Sequence, residues 1–336
     1  SDPVLRERKL IAEPWDTKGY ALGAFPYPWR EWNDQYRDVV RKFWLHGYTL
    51  KPGDMATRVS GSHDVFNYRG PNSSINFLTA HDGFTLNDLT SYNEKHNEAN
   101  SEENRDGTNN NYSWNLGVEG PTTDVTINEA RLRLQKSLLA SLIMSAGVPM
   151  ILMGDEVGRT QAGSNNAYSL PLDESGNSLT GLDSFNGGWA LNWNLNERER
   201  DLLETTKTLI SLRKEYLAPV ARTFFTGELD LNTSRKDLAW FTPLGKEMAS
   251  EDWNQIEAKN LSMYVEASEN QGLLMLFNGE AKDMEFNLPE AKWGSGYRTV
   301  FDSAKSVINY EPRLALPNGK VTLAAHSMQI WFVNRD

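Results

Sequence analysis

The sequence predicts an α/β part followed by an all-β sandwich, and three observations carry that expectation. Short apolar runs ending in acids alternate with helical patterns through residues 1–217, as layered α/β structures require. Helical periodicity then stops at Pro219. Beyond it come only short β-like runs separated by turn residues, which places the two parts at 1–217 and 222–336.

Leu10-Ile11-Ala12 is an apolar run that stops at Glu13-Pro14-Trp15-Asp16, and Pro14 cannot donate to a ladder, so the strand ends at the acid. Pro26 and Pro28 exclude a continuous helix from Gly19 to Trp32, leaving a structured loop with a short strand near Trp29 to Asn33. Asp34 to Trp44 carries Tyr36, Val39, Val40, Phe43 and Trp44 at helical spacing. Pro52 and Gly53 interrupt the chain after that helix. Ile75 to Ala80 reads as a buried strand that ends in His81-Asp82-Gly83, and Thr85 or Asn87 caps a helix bearing Leu86, Leu89 and Tyr92. Asn93 to Thr123 is polar and aperiodic. Ile127 to Ala146 is the clearest helix, with Leu134, Leu138, Leu142 and Ser145 on one stripe and Gly147 beyond its end. Met150 to Met153 is a further strand, closed by Gly154-Asp155-Glu156, and a second polar loop leads to a helix over Glu197 to Leu217. The β-like runs are Leu238–Thr242, Leu261–Val265, Gly272–Phe277, Met284–Leu288, Tyr297–Val300, Val321–Leu323 and Met328–Phe332.

Composition narrows the function classes. A formal charge of -11 without a long basic run argues against a nucleic-acid partner. The absence of cysteine removes disulfides and thiolate metal sites and fits a reducing, cytoplasmic setting. No apolar stretch of about 18 residues occurs, so no membrane span is expected. The first nine residues carry neither a signal-peptide core nor a transit composition and run straight toward a strand, as in a chain entered mid-fold.

Two acids at two strand ends point to one shared site, because α/β enzymes gather their chemistry at the carboxyl ends of strands. His81-Asp82-Gly83 also reads simply as a turn, with Asp capping and Gly supplying a positive φ, and Glu13 as a solvated acid. The joint occurrence with Gly154-Asp155-Glu156 favours the site. Glu102, Glu103 and Asp106 lack the alternation of a calcium loop, and His46, His63 and His326 lack partners at ligand spacing, so neither metal nor cofactor is expected.

Leu10-Ile11-Ala12-Glu13-Pro14-Trp15-Asp16 resembles the fifth-barrel-strand motif of isoamylase-type enzymes in the α-amylase superfamily, and Ala80-His81-Asp82-Gly83-Phe84-Thr85-Leu86 their seventh-strand motif. The run from Tyr92 to Asn100, continued by Asn109-Asn110-Asn111-Tyr112-Ser113-Trp114-Asn115, resembles glycogen-operon debranching enzymes, as do Asn165-Asn166-Ala167-Tyr168 and the helix ending in Leu212-Arg213-Lys214. The strand-rich part resembles the family only in general pattern. The resemblance implies the second half of a (β/α)8 TIM barrel followed by an all-β sandwich, from an enzyme that hydrolyses α-1,6 branch points of glycogen or limit dextrin with retention. It assigns Glu13 as general acid/base, Asp82 as transition-state stabiliser and His81 as a ligand of a glucosyl hydroxyl. Aromatic rings stack on glucose, which makes Trp15, Tyr20, Trp114 and Tyr168 candidates. The retaining nucleophile, roughly 5 Å from the acid, belongs to the fourth barrel strand and matches no residue here. The chain is therefore expected to be a carboxyl-terminal part, inactive alone, that retains an amino-terminal partner half or forms a homodimer to cover its open sheet. Other α-glucan enzymes, such as branching enzymes or α-1,4 hydrolases, and a non-catalytic glucan-binding fragment remain alternatives.

Overall fold

The computed structural model describes residues 2–45, 47–98, 102–167, 191–231, 234–256, 258–268 and 271–335. Its first part is built on a parallel sheet of β1 (Ile11–Ala12), β4 (Arg30–Asn33), β5 (Ser74–Phe77) and β6 (Val148–Met150), in that spatial order. Between β1 and β4 lies a hairpin of β2 (Trp15–Asp16) and β3 (Gly19–Tyr20). The helices are α1 (Asp34–Trp44), α2 (Pro52–Val59), α3 (His63–Phe66), α4 (Leu86–Leu89), α5 (Val125–Ile143) and α6 (Glu197–Leu212).

Local chemistry explains most boundaries. Asn33 ends β4 and at once caps α1, its Oδ1 accepting from Tyr36 N at 3.0 Å while its Nδ2 donates to Ser62 and Ser74 across the sheet. Asp124 caps α5 by accepting from Thr126 N and Ile127 N. Pro52, expected only to interrupt, starts α2 instead, since proline is tolerated in the first helical turn where its missing N–H has no partner to lose. The last parallel strand is also displaced from expectation. It occupies Val148–Met150 rather than Met150 to Met153, with Pro149 on an edge strand and Met153 turned out at 71% exposure. The helix expected through Leu217 is α-helical to Leu212 and closes in a π-turn over Arg213–Leu217; Arg213 Nη1 bonds the carbonyls of Ile143 and Ser145 at 2.7 and 2.6 Å, satisfying the end of α5.

After a small hairpin of β7 (Leu229–Asp230) and β8 (Arg235–Lys236) come β9 (Leu238–Phe241), β10 (Asn260–Ser268), β11 (Gln271–Asn278), β12 (Met284–Asn287), β13 (Gly296–Asp302), β14 (Leu314–Ala315), β15 (Lys320–Leu323) and β16 (Ser327–Asn334). Six of them form an antiparallel sheet ordered β14-β13-β16-β11-β10-β9, and β12 pairs with β15. Alternation sends Met263, Val265, Met275, Phe277, Ile330 and Phe332 into a core shared with α1, α5 and α6. Tyr264, Leu274, Leu276, Trp331 and Val333 face a second core with Phe286, Leu288, Val321 and Leu323. A sheet covered on both faces buries nearly every position of its central strands, which is why β11 carries the apolar run Leu273–Phe277 and β16 the run Ile330–Val333.

The seam between the two parts is polar as well as apolar. Lys136 of α5 pairs with Asp201 of α6, both buried, and donates to Lys305 O at 3.0 Å, while Asp201 accepts from Ser306 Oγ and Val307 N. Lys259 donates to the carbonyls of Lys42 and Leu45 at the end of α1.

Candidate active site

Glu13 is the first residue past β1 and is exposed. The chain then turns through the β2–β3 hairpin, where Asp16 Oδ1 accepts from Lys18 N and Gly19 N at 2.7 and 2.9 Å and sharpens the turn. The hairpin holds Trp15 half-buried and lifts Tyr20 beside Glu13, and a shallow cleft of about 430 Å³ is lined by Glu13, Trp15, Lys18, Tyr20 and Phe25. Tyr20 Oη donates to Asp34 Oδ1 at 2.7 Å; burial and that carboxylate push the phenol up to about 12. Tyr20 therefore remains a neutral donor–acceptor at any working pH.

β4 lies between β1 and β5, so its residues separate the two predicted acids. Ala12 is in register with Glu31 and Trp32 with Ile75. The Trp32 ring lies edge-on to His81 at 6.1 Å between centroids and 5.5 Å from Phe77. Sequence reasoning missed Trp32 as a site neighbour; the signal was its place on the strand expected at Trp29 to Asn33. It missed Glu31 too, which is fully buried, paired with Arg69 Nη2 at 2.5 Å and accepts from Gly23 N at 2.6 Å.

His81 and Asp82 are exposed on the turn that follows β5. The backbone entering that turn is held by Arg41, whose Nε donates to Leu78 O at 2.8 Å and whose Nη1 donates to Asn111 O at 2.8 Å. Asp155, read from sequence as a third strand-end acid, is 2% exposed and accepts from the Thr79 hydroxyl and from Leu86 N at 2.9 Å. Asp88 is fully buried and accepts from the Thr160 hydroxyl and from Gln161 N at 2.6 Å. Burial pushes both carboxyls up to about 6, against the pull of these hydrogen bonds.

The asparagine-rich segment is knitted by its own amides. Asn97 Oδ1 accepts from Ser164 Oγ and Asn165 N, its Nδ2 donates to Asn165 Oδ1 at 2.8 Å, and Asn165 Nδ2 donates to Asn111 Oδ1 at 2.9 Å. Lys95 Nζ donates to Asp106 O and Gly107 O, and Glu119 accepts from the backbone of Asn93 and Glu94, which with its other donors holds its carboxyl below the usual range despite burial. Gly107 has φ +70, and a Cβ there would lie 2.2 Å from Asn165 Oδ1. Asparagine suits this packing because one amide supplies both donor and acceptor.

The other predicted residues are distributed unevenly. Trp114 is not brought to the cleft beside Glu13: it is half-buried against the core, with its ring 5.2 Å from His326 of the strand-rich part. Its position is that of a packing residue at the seam. Tyr168 lies outside the described residues. Among the described residues, no group of three or more His, Asp or Glu has metal-binding geometry, and no helix is long and apolar enough to cross a membrane.

Comparison with known proteins bears on this arrangement. The family described as Isoamylase, C-terminal matches residues 237–328, which corrects the expectation that the strand-rich part carries only a general likeness. The chain is 43% identical over 319 residues to a glycogen operon protein GlgX homolog of Mycobacterium bovis, covering 90% of this chain and 42% of that protein. It is 41% identical over 293 residues to a glycogen debranching enzyme of Dickeya chrysanthemi, covering 86% of this chain and 40% of the relative. Among solved structures, pullulanase from Bacillus acidopullulyticus superimposes with a TM-score of 0.62 at 18% identity, covering 98% of this chain and 34% of the pullulanase. The GBS pullulanase SAP in complex with maltotetraose gives 0.63 at 14% identity, over 99% of this chain and 44% of the other. The parallel sheet is thus part of a TIM barrel with a β-sandwich after it. The chain spans 42% of the length of its first relatives; over that span it is similar to glycogen operon GlgX homologs and glycogen debranching enzymes, and it carries an Isoamylase, C-terminal domain.

Proposed function

We propose that this chain supplies the acid-bearing part of a retaining glycoside hydrolase that cleaves α-1,6 branch linkages in glycogen or limit dextrin. The observation that carries the reading is the placement of Glu13 and of His81-Asp82 past the ends of β1 and β5, on either side of β4, in a chain that aligns with glycogen debranching enzymes. Glu13 protonates the leaving glucosyl oxygen as the bond breaks and later takes a proton from the attacking water. Asp82 holds sugar hydroxyls of the distorted ring, and His81, braced by Trp32, bonds a hydroxyl beside it. Trp15 offers a stacking face next to the acid and Tyr20 lines the same cleft; Trp114 and Tyr168 complete the set of aromatic candidates, with Trp114 the least favoured by its packing against His326.

Retention also requires a carboxylate nucleophile roughly 5 Å from the acid. We assign none within this chain, since Glu31, the nearest acid along the sheet, is engaged by Arg69 and Gly23. The isolated chain is then a glucan binder without turnover. Among the described residues its parallel sheet has unpaired edges at β1, where Ile11 is 48% exposed, and at β6, and we propose that an amino-terminal half-barrel or a second copy covers them. Residues 1–217 form the barrel portion and 222–336 the sandwich in this reading, and the setting is cytoplasmic, with no nucleic-acid or membrane partner.

Reducing-end release from limit dextrin, pullulan and linear maltodextrin, with and without a supplied amino-terminal half, tests the proposal. Cleavage of the branched substrates only by the reconstituted pair is expected. Cleavage confined to linear maltodextrin overturns the debranching assignment.

A further inference from the structure

We propose that Asp155 and Asp88 are positioning residues that fix the His81-Asp82 turn by reciprocal hydrogen bonds between the chain segments following β5 and β6. The inference deepens the glucan-site reading above and rests on it for what the turn does.

His81, Asp82 and Gly83 form no hydrogen bond with another described residue, and a Cβ on Gly83 would meet nothing within 4 Å. The turn is therefore placed mainly from its two ends, beside the Trp32 ring that lies edge-on to His81. One buried carboxylate holds both: Asp155 accepts from the Thr79 hydroxyl before the turn and from Leu86 N after it. The connection is returned from the other side. Asp88, carried on α4 directly after the turn, accepts from the Thr160 hydroxyl and Gln161 N in the segment after β6, and its own N–H donates to Thr85 Oγ1 at 3.1 Å. Each segment thus contributes one carboxylate to the other's backbone, so neither moves alone. Both carboxylates are sequestered from the cleft, which leaves them no direct part in bond breaking.

The chemistry sets a test that separates hydrogen bonding from bulk. At position 155 an amide still accepts from Leu86 N through Oδ1, and its Nδ2 donates to the Thr79 hydroxyl, which accepts as well as it donates. Asp155→Asn therefore preserves the connection, whereas Asp155→Ala and Thr79→Val remove it wholly or in part. Hydrogen–deuterium exchange of peptides covering residues 79–88 is measured for these variants, together with maltotetraose affinity and with Asp82→Ala as the reference. Expected is at least tenfold faster exchange over 80–86 in Asp155→Ala, a smaller rise in Thr79→Val, near-native exchange in Asp155→Asn and unchanged protection in α5. Maltotetraose affinity falls in Asp155→Ala toward that of Asp82→Ala and recovers in Asp155→Asn. Unchanged exchange over 80–86 in both Asp155→Ala and Thr79→Val overturns the proposal. Faster exchange with native affinity, while Asp82→Ala weakens binding, overturns the positioning role and leaves the glucan reading standing. Native affinity in Asp82→Ala itself overturns the reading of the site, and the positioning role with it.

Discussion

Raising the pH from 4 to 7 should cost the fold stability through Asp155 and Asp88, in the direction opposite to ordinary acid denaturation. Burial pushes each carboxyl from 3.8 up to about 6. Between those values the folded chain keeps protons that the unfolded chain has lost, so the folded state binds more protons and stability falls as pH rises, levelling off above about 6. A displacement of this size corresponds to about 3 kcal/mol for each group. Arg159 pulls Asp155 down and Glu156 pushes it up, so the site is not isolated, but burial is the largest influence. Urea denaturation of the wild type and of Asp155→Asn at a series of pH values isolates one group, because the amide is neutral throughout. The wild type should lose about 2 kcal/mol relative to the variant between pH 4 and pH 7, the part of the full displacement that falls in this window. A difference that is flat with pH, or one in which acid weakens the wild type more than the variant, would refute the reasoning, since it would mean that the hydrogen bonds to Thr79 and Leu86 outweigh desolvation.

Two further predictions concern the seam and the asparagine-rich segment. Lys136→Met leaves Asp201 charged and buried with, among the described residues, Ser306 and Val307 as its remaining donors, and is expected to cost about 3–5 kcal/mol in urea denaturation; a loss below about 1 kcal/mol would show that the pair is not desolvated. Gly107→Ala meets both a positive φ and the Asn165 amide, so limited proteolysis within residues 102–115 should accelerate while the melting of the strand-rich part stays in place.

Much of this fold was readable because local and tertiary preferences agree. Asn33 caps α1, apolar residues repeat at helical spacing behind it, and the helix spans Asp34–Trp44 as expected. The β-like runs after Leu217 coincide with strands because each is bounded by turn residues and packed on at least one face. Where the reading failed, the missing information was nonlocal or positional. An apolar run does not say where pairing begins, so β6 starts at Val148, and a proline that looked like a breaker at Pro52 opens a helix. The acid at Asp155 was visible, but its partners Thr79 and Leu86 are 76 and 69 residues away, and only the fold distinguishes an acid that holds a turn from one that faces substrate. The Trp114 ring, in a site-like sequence context, lies 5.2 Å from His326, a neighbour distant along the chain that the sequence alone does not indicate.

The most direct test of the central claim is reducing-end release from limit dextrin by this chain with the proposed amino-terminal half-barrel supplied, with Glu13→Gln compared against Glu31→Gln. Removing a general acid costs on the order of a hundredfold to ten-thousandfold in turnover, so Glu13→Gln should fall by that much at native folding stability, while Glu31→Gln, which disturbs the ion pair with Arg69, should lose stability first. Native-like turnover in Glu13→Gln would contradict the account.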